Sequence, residues 1–454
     1  MLKILLIIFI NFYIVIAQIN FNTAKIVASG NSSVAFSRGI ESIQNNPSNL
    51  AFFDKKNWEI SFLPQINLNF QNSIFSYGEY KKYFIGNADK SPKHLSDKDK
   101  NDILSLFNSQ EYEEIFLNSS IGILNISSNF KELKGGFCIS INERLYNFNS
   151  IPKEAFRLIL FGNTLNTNYK FNDLNGSGIW FREYSIGYGF QLYNKNISKI
   201  AFGIILKYLN GMGYYSIYNT NSNFLTTDSS INGNMNVKIN YAFPNFFEEG
   251  NKYSFFESSG KGQSFDIGLS YIPNDIFSFG ASIQDLGYII WKKNSYEIEI
   301  DTTSEIKNIF EEDEYKPLKD LFNNHKNEIY NNKTILPYTV KIGFAININK
   351  ISSISEIISF PVILGFQYSQ INKSKQLLNR NYNFISLGLD LVLLKWLPIR
   401  FGYTHSKFSS DFSFGTGINT TIFDFDIALS NLQVLFLSKS IKTFGITIST
   451  KFLF

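Results

Sequence analysis

Few residues in this 454-residue chain have the type and spacing that chemistry needs. A catalytic thiol requires a positioned histidine. Cys138 is the single cysteine, and His94, His325 and His405 lie in no supporting motif. One cysteine forms no intramolecular disulfide, so Cys138 reads as a small buried or lipid-facing residue. There is no HExxH metal pair, phosphate-binding loop or nucleophile elbow. Gly415-Thr416-Gly417 is too short for a dinucleotide fingerprint and reads as close packing within a strand. Asp390, Asp424 and Asp426 fall on the polar side of alternating segments. Facing a lumen, they would line a polar path or, the preferred reading, fill the interior with mutual hydrogen bonds, and an acid–base pair for hydrolysis cannot be assembled from spacing alone. The chain is therefore not read as an enzyme, and no cofactor or metal is expected.

The elements that carry these acids are the strongest signal. Near the end of the chain, Phe444, Ile446, Ile448, Phe452 and Phe454 share one parity, while Thr443, Gly445, Thr447, Ser449 and Lys451 share the other. Successive strand side chains point to opposite faces, so one face is lipid-like and the other small and polar. Phe265, Ile267, Leu269 and Tyr271 oppose Asp266, Gly268 and Ser270 in the same way, and Tyr338 to Ile348 alternates around Lys341 and Gly343. Fourteen such segments can be counted: 57–71, 119–128, 134–148, 182–193, 199–210, 263–272, 276–290, 337–348, 359–370, 382–394, 398–408, 411–419, 422–431 and 442–454. Most have about the length that a tilted strand needs to cross hydrocarbon, and soluble strands are usually shorter. The fold class is thus all-β, a transmembrane antiparallel barrel of about fourteen strands.

Connections after even segments are short, whereas 72–118, 149–181, 211–262 and 291–336 all follow odd ones. Short turns at one end and long loops at the other are the barrel's expected asymmetry. An extra hairpin near Val237–Tyr241 is a further candidate. The long loops should carry helix over Asp97–Phe107 behind a Ser96 cap, over Pro152–Phe161, and in part over the charged stretch 303–329. Charge runs such as Lys98–Asp99–Lys100 and Glu311–Glu314 read as solvated loop faces. The 42 basic and 38 acidic residues nearly balance, which argues against nucleic acid as a partner. Beyond the leader no run of about twenty apolar residues exists, so helical spans are not expected.

Three regions follow. Residues 1–17 read as a signal peptide, with Lys3 before an apolar run and Val15 and Ala17 before the cut. Residues 18–56 lack the strand pattern, with a helix candidate at Ser37–Gln44, and would lie in the periplasm or the lumen. Residues 57–454 form the barrel.

Several stretches resemble known barrels. The alternating last strand ending in Phe452 and Phe454 is similar to the end signal that bacterial barrels present to their insertion machinery. Ser37-Arg38-Gly39-Ile40-Glu41 followed by Asn46-Pro47-Ser48-Asn49-Leu50-Ala51 resembles the A/S-R-G … N-P-A-x-L segment of FadL-like barrels, PorV-type proteins included. Ser48 replaces the usual Ala, and the preceding glycine-rich stretch is thin. Gln284-Asp285-Leu286-Gly287-Tyr288-Ile289-Ile290-Trp291, Leu160–Asn163 and Ser76–Tyr83 are similar to an uncharacterised FadL-like group of the Bacteroidetes and related phyla. The resemblance implies a fourteen-stranded outer-membrane barrel whose N-terminal segment is a lumenal hatch, with Arg38, Gly39, Asn46, Pro47 and Leu50 as its motif. It implies passive passage of hydrophobic or amphipathic small molecules, with Phe243, Phe246 and Phe247 as apolar loop residues and Pro64 as a break in the wall. The other implied role is a PorV-like docking scaffold for secreted proteins. Implied partners are outer-membrane lipid and the barrel assembly machinery. Substrate-binding residues stay unknown, since no ligand residues carry over.

Overall fold

The computed structural model describes residues 22–454 apart from 53–56, 86–92, 108–110, 131, 133, 173, 196, 220, 245–256, 308–324, 375, 379, 407–409 and 434–441. The leader, Phe246, Phe247 and the Glu311–Glu314 run lie outside the described residues.

In chain order the strands are β1 (Trp58–Asn72), β2 (Tyr112–Phe130), β3 (Gly135–Pro152), β4 (Asn168–Lys170), β5 (Asn175–Lys195), β6 (Ser198–Asn219) and β7 (Asn223–Thr226). There follow β8 (Ile231–Ala242), β9 (Gly260–Ile272), β10 (Phe277–Trp291), β11 (Ser295–Ile306), β12 (Lys326–Glu328), β13 (Asn332–Ile335) and β14 (Thr339–Asn347). The last six are β15 (Val362–Ile371), β16 (Tyr382–Leu393), β17 (Leu397–Ser406), β18 (Ser410–Asn419), β19 (Phe423–Leu429) and β20 (Thr443–Leu453). Each of β1, β2, β3, β5, β6, β9, β10 and β14 to β20 pairs antiparallel with the next of this set, and β1 pairs with β20. The result is a closed fourteen-strand barrel. Closure leaves no unpaired edge.

The alternation read from the sequence sorts the two faces. On β9, Phe265, Leu269 and Tyr271 are exposed on the outside, while Asp266 and Ser270 are buried inside. Aromatic residues gather outside at the end that carries the short turns, where Trp58 meets Phe130 and Phe137 at ring distances of 6.1 and 5.6 Å. Among the described residues no helix is long and apolar enough to cross a membrane.

The structure departs from expectation where the strands run past the segments read from the alternation. β2, β3, β5 and β6 run for 19, 18, 21 and 22 residues, well past the segments expected for them. Their surplus lies at the loop end, where both faces are polar or packed and the lipid alternation stops. Val237–Tyr241 falls within β8, which pairs with β6 and along its whole length with β11. The expected helix within 303–329 is not found among the described residues, because 303–306 and 326–328 are strand. Both pieces belong to a ribbon with β8 and β11, where Lys238 pairs with Glu297 at 2.8 Å and Lys326 lies 3.9 Å from the centre of the Tyr296 ring. The expected loop helices are found at Asp97–Ser105 and Lys153–Phe161, each slightly shorter than expected, a further one spans Tyr77–Tyr83, and the N-terminal candidate shrinks to Ile40–Ile43.

Candidate lumenal site

Residues 22–52 lie inside the barrel. They form a helix at Ala24–Ala28, the turn Ile40–Ile43 and a 3-10 turn at Pro47–Ala51. The wall receives them through glycines on inward positions of ten successive strands, β3, β5, β6, β9, β10 and β14 to β18. Gly203 faces Pro47 so closely that an added Cβ would stand 2.3 Å from its carbonyl carbon. Gly402 faces Gly30 likewise, at 2.0 Å from its nitrogen. Gly189 pairs with Gly203 and Gly203 with Gly268, so the belt is continuous there from strand to strand. Only a residue without a side chain lets another backbone come so near.

Direct hydrogen bonds complete the seat. Asn46 Nδ2 donates to Ser270 Oγ at 3.1 Å, and Ser270 Oγ donates to Asn49 Oδ1 at 2.7 Å. Thr404 Oγ1 donates to the Gly30 carbonyl at 2.8 Å. Lys341 Nζ, buried on β14, donates to Gln44 O at 3.2 Å and Asn45 Oδ1 at 3.1 Å.

The five motif residues take separate positions in this seat. Asn46 makes the bonds just described, and Pro47 meets Gly189 and Gly203. Leu50 packs with Ile43, Ile205 and Cys138, so the cysteine is buried and inward rather than lipid-facing. Gly39 has φ +55°, and an added Cβ there would strike the Glu59 carboxylate. Arg38 lies over the Phe52 ring, 5.2 Å from its centre. At the chain's end, Phe452 pairs with Phe423, and Phe454 N donates to Trp58 O at 3.0 Å. Gly415 meets Ala28 of the inner segment. The three acids face the lumen, although their partners are cations. Arg400 donates to Asp390 at 3.1 Å and to Asp426 at 2.5 Å, and Lys451 stands 3.8 Å from Asp424.

Toward the loop end the lumen has two further tiers. The first is ionic and joins β3, β5, β6, β9 and β10. Arg144 grips Asp285 with two hydrogen bonds, of 2.8 and 2.6 Å, and bonds Glu183 at 2.7 Å. Lys207 reaches Asp266 and Asp285, both at 2.8 Å. Asp285 gets there through a bulge. β10 slips register between Ile283 and Leu286, and Asp285 takes φ +63°, which turns its carboxylate inward. Sequence reasoning missed this tier as a unit. Its traces were present: Asp266 and Lys341 were on the polar parity, and Asp285 stood inside a resembling stretch.

The second tier is apolar. Ile179, Phe181, Leu209, Tyr214, Ile289 and Trp291 pack together beneath Leu336 and Leu377. Trp291 stacks on Tyr214 at 5.3 Å and donates from Nε1 to Thr334 Oγ1 at 2.9 Å. Gly211 and Gly260 make room for its ring. On β5 the inward order runs Gly189, Gly187, Ser185, Glu183, Phe181, Ile179, so inner segment, ions and apolar tier follow one another along one strand. Among the described residues no cluster of histidine, cysteine or carboxylates is arranged to hold a metal.

The profile of a family of unknown function, DUF5723, matches residues 51–429. The chain belongs to that family. No curated protein matches the DUF5723 chain. Solved structures similar to it include the toluene transporter TbuX of Ralstonia pickettii, at 9% identity over 96% of this chain and 99% of that one, with a TM-score of 0.46. A FadL homologue of Pseudomonas aeruginosa is similar at 10% identity over 96% and 98%, with a TM-score of 0.46. The Pseudomonas putida toluene transporter TodX is similar at 10% identity over 96% and 99%, with a TM-score of 0.45. Similarity this remote says nothing about what the DUF5723 chain carries.

Proposed function

We propose that the protein is a bacterial outer-membrane barrel that passes amphipathic or hydrophobic small molecules passively, with residues 18–56 as its hatch. One observation carries this reading: the inward face, polar, charged or glycine around the inner segment, turns apolar at the loop end above an ionic tier. A lumen that only needed filling would have no reason to change character in that order. An apolar tail suits Phe181, Leu209 and Trp291, and a polar head suits the ions below them. Pro64 supports a route past the hatch. Around it β1 slips register against β2 between Phe62 and Gln65, and against β20 between Ile60 and Ile66. Proline cannot donate to the ladder, so the wall is weak there. Membrane lipid contacts the outer face, and the assembly machinery reads Phe452 and Phe454.

Outer-membrane fractionation with heat-dependent gel mobility, followed by uptake of a labelled fatty acid into liposomes, tests the reading. Uptake that changes on deletion of residues 18–50 supports it. A folded barrel that takes up nothing overturns it. A second reading, docking of secreted proteins, is favoured by the ordered ribbon of β8 and β11, which stands on β6 beyond the expected lipid span. Binding of secreted proteins that is lost on trimming that ribbon would establish it.

A further inference from the structure

The inner segment meets β1 and β20 through polar side chains instead of glycines: Asn67 Nδ2 donates to Asn22 O at 3.3 Å, Ala24 N donates to Ser449 Oγ at 3.2 Å, Ile40 N donates to Glu59 Oε2 at 2.9 Å, and Lys451 Nζ donates to Glu41 at 2.9 Å. The belt glycines cover ten strands from β3 to β18, but no glycine of β1 or β20 touches the segment. Along that seam the inward residues are polar and oppose one another: Gln71 faces Thr443, Asn69 faces Gly445, and Asn67 faces Thr447. Two narrow cavities lie on it. One, toward the loop end, is lined by Gln71, Thr404, Ser406, Asp411 and Thr443. The other, toward the turn end, is lined by Glu41, Ser61, Gln65, Asp424 and Lys451.

Several atoms here are buried without a protein partner: Thr447 Oγ1, Asn22 Oδ1, Gln65 Nε2, Ser61 Oγ and Glu41 Oε2. Their residues are at most 4% exposed. A buried polar atom left bare is costly, and in a polar site with room for it the partner is water. Charge around the lower cavity is uneven. Glu41, Glu59, Asp390, Asp424 and Asp426 meet Lys25, Arg400 and Lys451, five carboxylates against three cations.

We infer that the β1–β20 seam is a hydrated path that passes water and small cations while the inner segment stays in place. It does not depend on passage of hydrophobic molecules, although it shares with that route the stretch of β1 around Pro64. Rings of carboxylates favour cations in pores, and the excess here sets the same preference.

The test is ion conductance of the purified full-length protein in planar bilayers under a salt gradient. The expected result is a small conductance whose reversal potential shows cation preference. Asn67→Leu with Thr447→Leu, at the midpoint, should cut it severalfold, and Asp424→Asn should weaken the preference. Heat-dependent gel mobility checks that each variant is folded. If the leucine pair does not fold, Asn67→Cys with a cationic thiol reagent replaces it, since Cys138 is buried. A conductance that falls on labelling supports the path. No conductance from a folded barrel, anion preference, or insensitivity to the midpoint changes overturns it. Fatty-acid uptake in the same preparation reads the transport proposal separately, so either can fail alone.

Discussion

Arg144 on β3 holds both carboxylate oxygens of Asp285 on β10, although β5, β6 and β9 lie between them in the wall. The clasp spans the lumen as a strut. It works because a left-handed residue interrupts β10 at that point. Aspartate and asparagine tolerate that backbone better than most residues.

Asp285→Asn separates backbone from charge. The bulge should persist, while Arg144 and Lys207 lose a shared anion. Removing one member of a buried pair costs about 3–5 kcal/mol. The expected outcome is a markedly lower temperature for the heat-dependent shift in gel mobility. Asp285→Ala, which adds backbone strain, should fall further. Equal mobility for all three proteins would deny the strut any weight.

Gly203→Val tests the belt. A side chain there meets Pro47, so the inner segment must shift while the wall, which gains a β-branched residue, is kept. The barrel should stay heat-modifiable, and residues 22–52 should become open to added protease. Protection unchanged from the parent would show that the glycine is not needed for seating.

Leu209→Ser places a hydroxyl in the apolar tier. Uptake of a labelled fatty acid should drop severalfold with gel mobility intact. The same change at outward Leu269, exposed on the lipid face, should leave uptake alone.

The helix Asp97–Ser105 responds to pH. Ser96 Oγ and N both donate to the Asp99 carboxylate, and they hold its pKa below the ordinary aspartate value. A depressed folded pKa gives stability that is present above the unfolded value and lost as pH falls through the folded one. Amide protection in this helix, taken relative to the intrinsic exchange rate at each pH, should therefore fall below about pH 4, the ordinary aspartate value. Ser96→Ala should flatten that response. An unaltered pH profile would remove the capping role.

Much of the wall was legible because lipid and lumen impose opposite chemistry on alternate residues. Phe265 and Asp266 needed only the period of two. Strand ends were less legible. Past residue 210 β6 continues to Asn219, and there its alternation no longer separates apolar from polar, which hides the rest of the strand from a period-two reading. The charged stretch 303–329 reads as partly helical, and pairing with β8 makes its start, 303–306, a strand. The seat of the inner segment could not be read from its glycines, since Gly203 and Gly402 look like any small residue on the polar parity. Their pairing depends on register, which one strand does not reveal. The ionic tier is a long-range object of the same kind. Lys207, Asp266 and Asp285 are far apart in sequence and meet only after closure.

The enclosed segment also constrains how the molecule is made. It precedes β1, and β1 is the strand that the last one, β20, must find. Residues 22–52 are closed on by glycines of ten strands and are held across the seam by side chains of β1 and β20 as well. They must therefore be in position before the first and last strands join. The segment then acts as a mandrel around which the sheet is wound, and the seam between β1 and β20 is the last place where the wound sheet can still let it go.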